Sequence, residues 1–265
     1  MAVRTTVGLL YPGHAAEDDY PLMDELLGPT VALRVVHTSV GEDAHRVDAL
    51  LDLGSSSRLS EGAEQLRRFD VDAVIWACTS GSFVFGWEGA RQQVEVLTGA
   101  LGVPASSTSF AFVHAARALN VARVAVGATY PEDVAARFAE FLGHGGVEVV
   151  RLSSRGITTA VEVGALERNE VMDLAIANDH PAAEAVLLPD TAMHTISWLD
   201  GLENKLGKPV LTANQVSVWE GLRIAGHREE HVSLGALFHA GSGPEPSTWM
   251  AADSEPGGKK GMAHE

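Results

Sequence analysis

Two stretches of this 265-residue chain repeat one another in the same order. The first half runs Val7-Gly8-Leu9-Leu10-Tyr11-Pro12, then Ala73 to Ser82, then Leu101-Gly102-Val103-Pro104-Ala105-Ser106-Ser107. The second half answers with Val124-Ala125-Val126-Gly127-Ala128-Thr129-Tyr130-Pro131, then Ala185 to Met193, then Leu206-Gly207-Lys208-Pro209-Val210-Leu211-Thr212. The offset between matching positions shrinks from 119 (Tyr11 to Tyr130) through 112 (Cys78 to Asp190) to 105 (Leu101 to Leu206), as loop deletions leave in a duplicated domain. Short β-rich runs alternate with amphipathic stretches such as Ser60 to Phe69, Ala90 to Leu101, Pro131 to Leu142, Val161 to Asn178 and Ser217 to Ile224, each expected to be a helix. The pattern predicts an α/β fold of two pseudo-symmetric parallel-sheet lobes. Residues 1–117 and 118–242 are the expected lobes, with room for exchange of a terminal element, and the active site is expected in the cleft between them. The Gly, Pro, Ser, Lys and Glu of residues 243–265 predict a disordered tail.

At 46% hydrophobic and 20% charged residues the chain can bury a proper core. With 19 Lys and Arg against 35 Asp and Glu, the formal charge of -16 repels nucleic acid and anionic membranes, so neither is an expected partner. A single cysteine excludes an intrachain disulfide framework. The start Met1-Ala2-Val3-Arg4-Thr5-Thr6 leads into a strand-like run rather than a signal peptide, and no apolar stretch is long enough for a bilayer; the expected location is the cytoplasm.

Cys78 ends the apolar run Val71 to Ala77 and opens the small polar turn Cys78-Thr79-Ser80-Gly81-Ser82. A thiol at the carboxyl end of a buried strand, followed by residues that leave backbone N–H groups bare, presents a nucleophile beside an anion cradle. Thr191 and Ala192 after Asp190 are the matching second cradle. His14, His194 and His239 are read as chance neighbours of the cleft in a chain with eleven histidines. The pair His227 and His231 is read as a solvated face, so no metal is expected. Gly143-His144-Gly145-Gly146 reads as a helix stop rather than a dinucleotide loop, so no nucleotide cofactor is expected. Helices carrying Phe138, Phe141 and Leu142, or Val216, Trp219 and Leu222, read as core-facing, with a contact in a homodimer or larger homo-oligomer as the alternative.

Tyr11-Pro12, the segment Ala77 to Phe83, the run Leu202 to Val210, and Asn214-Gln215 with Trp219 together resemble the aspartate/glutamate racemase superfamily, in its branch of maleate cis-trans isomerases and arylmalonate decarboxylases. The resemblance spans roughly residues 5–240. It implies two lobes, no cofactor or metal, and a small carboxylate substrate. It also implies one catalytic cysteine at the end of each half's central strand. Cys78 matches the first of these, but Asp190 stands at the second. Two-base racemases of the superfamily commonly use two thiols, and arylmalonate decarboxylases resemble the reverse arrangement, with a small residue first and the protonating cysteine second. The isomerase branch implies that the first cysteine adds to an alkene, which can then rotate and eliminate. The expected function is therefore a cofactor-independent isomerase with Cys78 as nucleophile and Asp190 as its acid/base partner. A decarboxylase-like lyase, a racemase or a non-catalytic carboxylate binder are the alternatives. Tyr130 matches a tyrosine that the family carries near the substrate, and Tyr11 with Pro12 is expected to shape the mouth. His14 replaces a polar amide expected in the maleate-specific loop. A charged Asp190 would cost a nearby substrate carboxylate about 1 kcal/mol or more at about 4 Å. Substrates with one carboxylate and one neutral group are favoured over dicarboxylates.

Overall fold

A computed structural model describes residues 4–227, 229, 231 and 233–239. The expected tail at 243–265 lies outside the described residues. The first half is built in the order β1 (Thr5–Pro12), α1 (Asp19–Leu27), β2 (Val31–Thr38), α2 (Val47–Leu53), α3 (Ser56–Leu66), β3 (Ala73–Trp76), α4 (Ser80–Phe83), α5 (Gly86–Leu101), β4 (Ala105–Ser107) and α6 (Thr108–Ala118). The second follows with β5 (Arg123–Ala128), α7 (Glu132–His144), β6 (Glu148–Ser154), α8 (Ala160–Gly164), α9 (Arg168–Asn178), β7 (Ala185–Leu188), α10 (Leu199–Leu206), β8 (Val210–Thr212), α11 (Ala213–Ile224) and α12 (Gly235–His239).

The strands form two four-stranded parallel sheets of identical order, β2-β1-β3-β4 and β6-β5-β7-β8. This is the duplication seen in the sequence. Strands covered by helices on both faces must be apolar along their whole length, and every residue of β3 (Ala-Val-Ile-Trp) and β7 (Ala-Val-Leu-Leu) is buried. In each sheet the order reverses beside the first strand, and a doubly wound sheet offers its crevice at the carboxyl ends there. The reversal brings the ends of β1 and β3 together in one lobe and those of β5 and β7 together in the other.

The helices after the edge strands, α6 and α11, join the lobes. Thr108 of α6 and Ser217 of α11 share a hydroxyl–hydroxyl bond of 2.6 Å. Helix α11 lies on the first sheet although it belongs to the second half, and Gly221 is what lets it approach. A Cβ there would drive into Val7 and would stand 3.2 Å from Ile75. One apolar cluster consequently runs through both lobes, from Val7, Leu9 and Ile75 to Val126, Leu187 and Leu211.

Several helices differ from expectation: α3 begins at Ser56 and α5 at Gly86, each four residues early. The stretch Val161 to Asn178 is not one helix but α8 and α9, because Glu167 starts a new one: its side chain and that of Glu170 form a capping box. Helix α11 begins at Ala213, four residues before Ser217, because Thr212 and Gln215 form the same device. The glycines after α7 act as the expected stop, with Gly146 at φ 77°. No helix among the described residues is long and apolar enough to cross a membrane.

Candidate active site

Parallel pairing delivers Cys78 to the carboxyl edge of the first sheet: the N–H of Ala77 donates to the carbonyl of Leu10 at 2.8 Å, one residue beyond β3. The chain then turns tightly, with the Thr79 carbonyl accepting from the N–H groups of Ser82 and Phe83 at 3.0 Å and from the Ser109 hydroxyl at 2.8 Å. The turn tucks the N–H of Gly81 under the sulfur at 3.3 Å, with the Ser80 hydroxyl 3.9 Å away. Glycine at 81 keeps this turn tight, since a Cβ would stand 3.0 Å from the Cys78 sulfur and 3.1 Å from the Trp76 ring and a neighbour would have to give way by a few tenths of an ångström. Burial pushes the Cys78 thiol up to about 12; Gly81 and Ser80 pull the other way, and the charge of Asp190 adds to the rise. The thiol is therefore protonated at neutral pH.

Asp190 follows β7 as Cys78 follows β3, after one intervening residue in each case. Both of its oxygens are held: the Thr129 hydroxyl donates to Oδ2, and the N–H of Ala192 donates to Oδ1 at 3.0 Å. Ala192 therefore serves the carboxylate rather than an open anion cradle. The first turn keeps a donor in reserve, because the buried Thr79 hydroxyl has no hydrogen-bond partner.

Two phenols come to this pair. Tyr130 donates to the Pro189 carbonyl at 2.9 Å, and Tyr11 donates to the Thr191 carbonyl at 3.0 Å while accepting from the N–H of Ala16 at 3.0 Å. Tyr11 is thus an inter-lobe tie, buried rather than at the mouth; Pro12 beside it is partly exposed. Burial pushes both phenols well above their ordinary range, and the charges at Asp190 and Cys78 add to it. Phe83 and His45 stand edge-on to the Tyr130 ring at 5.8 and 5.1 Å. His45 had no signal in the sequence. Its irregular loop from the first lobe is pinned to the second by its N–H on the Thr158 carbonyl at 2.7 Å and its Nδ1 against the Ile157 carbonyl at 3.0 Å. A carbonyl only accepts, so Nδ1 carries the proton there.

Both side chains are buried: Cys78 is 3% and Asp190 4% exposed. A cavity of about 470 Å³ lies elsewhere, along β4 between α5, α6 and α11. His14 pairs with Glu17 at 2.9 Å, His194 with Asp18 at 3.2 Å, and His239 closes α12. His227 and His231 do not form the solvated face expected of them. The His227 side chain is only 7% exposed, and the two rings stack within 11° of parallel.

Two four-stranded parallel sheets of identical order, with a thiol at the end of one central strand and a carboxylate at the end of the other, define a two-lobed α/β protein of the racemase-like kind. A family model described as arylmalonate decarboxylase matches residues 54–238. The chain belongs to that family. It is 26% identical over 230 residues to the arylmalonate decarboxylase of Bordetella bronchiseptica, covering 85% of this chain and 92% of that one. It is 25% identical over 138 residues to the maleate isomerase of Alcaligenes faecalis, covering 52% and 54%. The fold matches a cysteine-to-serine variant of the Nocardia farcinica maleate cis-trans isomerase, a structure with a covalently bound succinylcysteine intermediate. That match has a TM-score of 0.80 and 18% identity, over 89% of this chain and 98% of the other.

Proposed function

We propose that the protein is a cofactor-independent cis-trans isomerase of a small unsaturated acid bearing one carboxylate and one neutral group. The observation that carries this reading is a buried, protonated Cys78 at one central strand end and Asp190, held at both oxygens, at the matching end of the other. Ionising the thiol alone at pH 7, five units below a value of about 12, costs about 7 kcal/mol. Passing its proton to Asp190 while sulfur attacks avoids making two adjacent anions. The C–S bond forms at one alkene carbon, and the π pair moves onto the carbon beside the substrate's carbonyl. The former double bond is now single and rotates. Reversal breaks the C–S bond, restores the alkene in the other geometry, and returns the proton from Asp190 to sulfur. The unpartnered Thr79 hydroxyl and the Ser80 hydroxyl are the groups in reach to donate to the developing oxyanion. The covalent cysteine adduct named for the Nocardia farcinica isomerase is the precedent for the addition step.

The resting protonation of Cys78 favours a second reading, in line with the family match: a lyase in which Cys78 donates a proton to the carbanion left by loss of carbon dioxide. Proton NMR in deuterium oxide separates the two. Conversion of the cis monoamide of butenedioic acid to its trans form, without carbon dioxide release from phenylmalonate, is expected. Carbon dioxide release alone would establish the lyase, and neither reaction would leave a binding protein.

A further inference from the structure

We propose that His227, Glu229 and His231 hold a structural divalent cation of the zinc class, which clasps the segment after α11 to the end of the first sheet remote from Cys78. The two imidazole Nε2 atoms face each other at 3.4 Å, and Glu229 Oε2 lies 3.8 Å from His227 Nε2. All three donor atoms fall within 4.8 Å of one another. Ligands bonded to a tetrahedral zinc ion at about 2.0–2.1 Å stand about 3.4 Å apart, so the triangle is close to the required size before any ion enters. The rings lie 5.6 Å apart, centre to centre, and within 11° of parallel. Two neutral imidazoles meeting through these nitrogens satisfy each other poorly; a cation satisfies both.

The far sides of the ligands are anchored as metal ligands usually are. The Thr5 hydroxyl holds His227 Nδ1 at 3.2 Å, and the Thr30 hydroxyl donates to Glu229 Oε2 at 2.7 Å. A void of about 10 Å³, the size of one water or small ion, is bordered by these three side chains with Trp219, Arg223 and Phe238. Arg223 brings a positive charge to that void, but its guanidinium is engaged by Glu220 at 2.8 Å. Two imidazoles and one carboxylate suit zinc, cobalt or nickel and not the oxygen-seeking magnesium or calcium.

A second group, His14, Glu17 and His37, lies nearer the catalytic edge. There Glu17 already closes on His14 at 2.9 Å as an ion pair, tighter than two ligands around one zinc ion, and His14 is exposed. That group therefore serves as the control.

The test is titration of the chelator-dialysed full chain with zinc by calorimetry and with cobalt by visible absorption, alongside thermal melting. One equivalent bound at micromolar affinity or better, a four-coordinate cobalt spectrum and a raised Tm are expected. His231→Ala and the isosteric Glu229→Gln should each weaken binding at least about 100-fold, and Thr5→Val about 10-fold, while His37→Ala leaves it intact. Circular dichroism checks that each variant is folded, and turnover without metal should be unchanged. Absence of stoichiometric binding would overturn the proposal. So would binding that survives Glu229→Gln and His231→Ala but disappears in His37→Ala.

Discussion

Tyr11 and Tyr130, at the ends of the first strands of opposite lobes, donate their phenol protons to the carbonyls on either side of Asp190, those of Thr191 and Pro189. The duplicated Tyr-Pro motif thus does not act symmetrically. Both copies serve the second strand end, where the carboxylate sits, and leave Cys78 to the N–H of Gly81. A backbone held on both flanks, with both carboxylate oxygens engaged, fixes Asp190 in one position.

Tyr11→Phe should therefore loosen the lobes as well as the site. The tie to Thr191 contributes about 1 kcal/mol, and the buried N–H of Ala16 would lose its acceptor at a further cost of about 1–3 kcal/mol. A lower denaturant midpoint at an unchanged slope is expected, the shift multiplied by the slope giving that total. An unaltered midpoint would show that the phenol bond is replaced by water.

Cys78→Ser should remove turnover while leaving the fold intact. The hydroxyl occupies less volume and keeps the Gly81 N–H contact, so stability should change by no more than about 1 kcal/mol, whereas the barrier should rise by several kcal/mol because the alcohol is much less acidic and less nucleophilic. Steady-state rates together with thermal melting decide it. Full activity in this variant would exclude Cys78 from the mechanism.

Much of this was legible in the chain. The shrinking offsets mark the duplication, and the apolar four-residue runs before Cys78 and Asp190 mark the two central strands, because strands buried on both faces leave a continuous apolar signature. Contacts between lobes left no such trace. That Tyr11 reaches a carbonyl 180 residues away follows from how the lobes dock, as does the crossing of α11 to the first sheet. His45 sits in an irregular loop with no periodicity to betray its burial. The burial of the His227 side chain left no trace either, because His227 and His231 lie beyond the end of α11, where Glu229 comes in between.

Helices α6 and α11 carry a buried charge cluster whose pH dependence has a definite sign. Glu220 accepts from Arg223 at 2.8 Å and meets His114 Nδ1 at 2.8 Å. Burial acts to raise its pKa, but the interactions with His114 and Arg223 outweigh burial and hold the carboxyl far below its ordinary 4.5. A depressed folded value means stability that is full above about pH 4.5 and is lost as pH falls below it. Glu220→Gln should flatten that acid limb and cost about 3–5 kcal/mol at pH 7, because Arg223 is left buried without its carboxylate. Unfolding curves of both proteins between pH 3 and 7 check it; parallel curves would contradict the assignment.

Asp190→Asn isolates what the carboxylate does to the thiol. Burial is the larger cause of the high Cys78 value and persists in the variant, so the pKa should fall from about 12 yet stay above the ordinary 9.0. Iodoacetamide alkylation followed against pH should show its midpoint shifted downward in the variant. The wild-type thiol, raised by folding, contributes stability that is complete below pH 9 and is lost as pH climbs through about 12; in Asp190→Asn that loss should end at a lower pH. The same substitution removes the like charge that repels a second carboxylate, so binding of maleate relative to its monoamide should improve by about fivefold or more, as about 1 kcal/mol of repulsion implies. Turnover of the monoamide should fall at the same time, since an amide cannot accept the proton from sulfur. An alkylation midpoint and a maleate preference both unmoved by the substitution would mean that Asp190 neither sets the charge of the cleft nor partners Cys78.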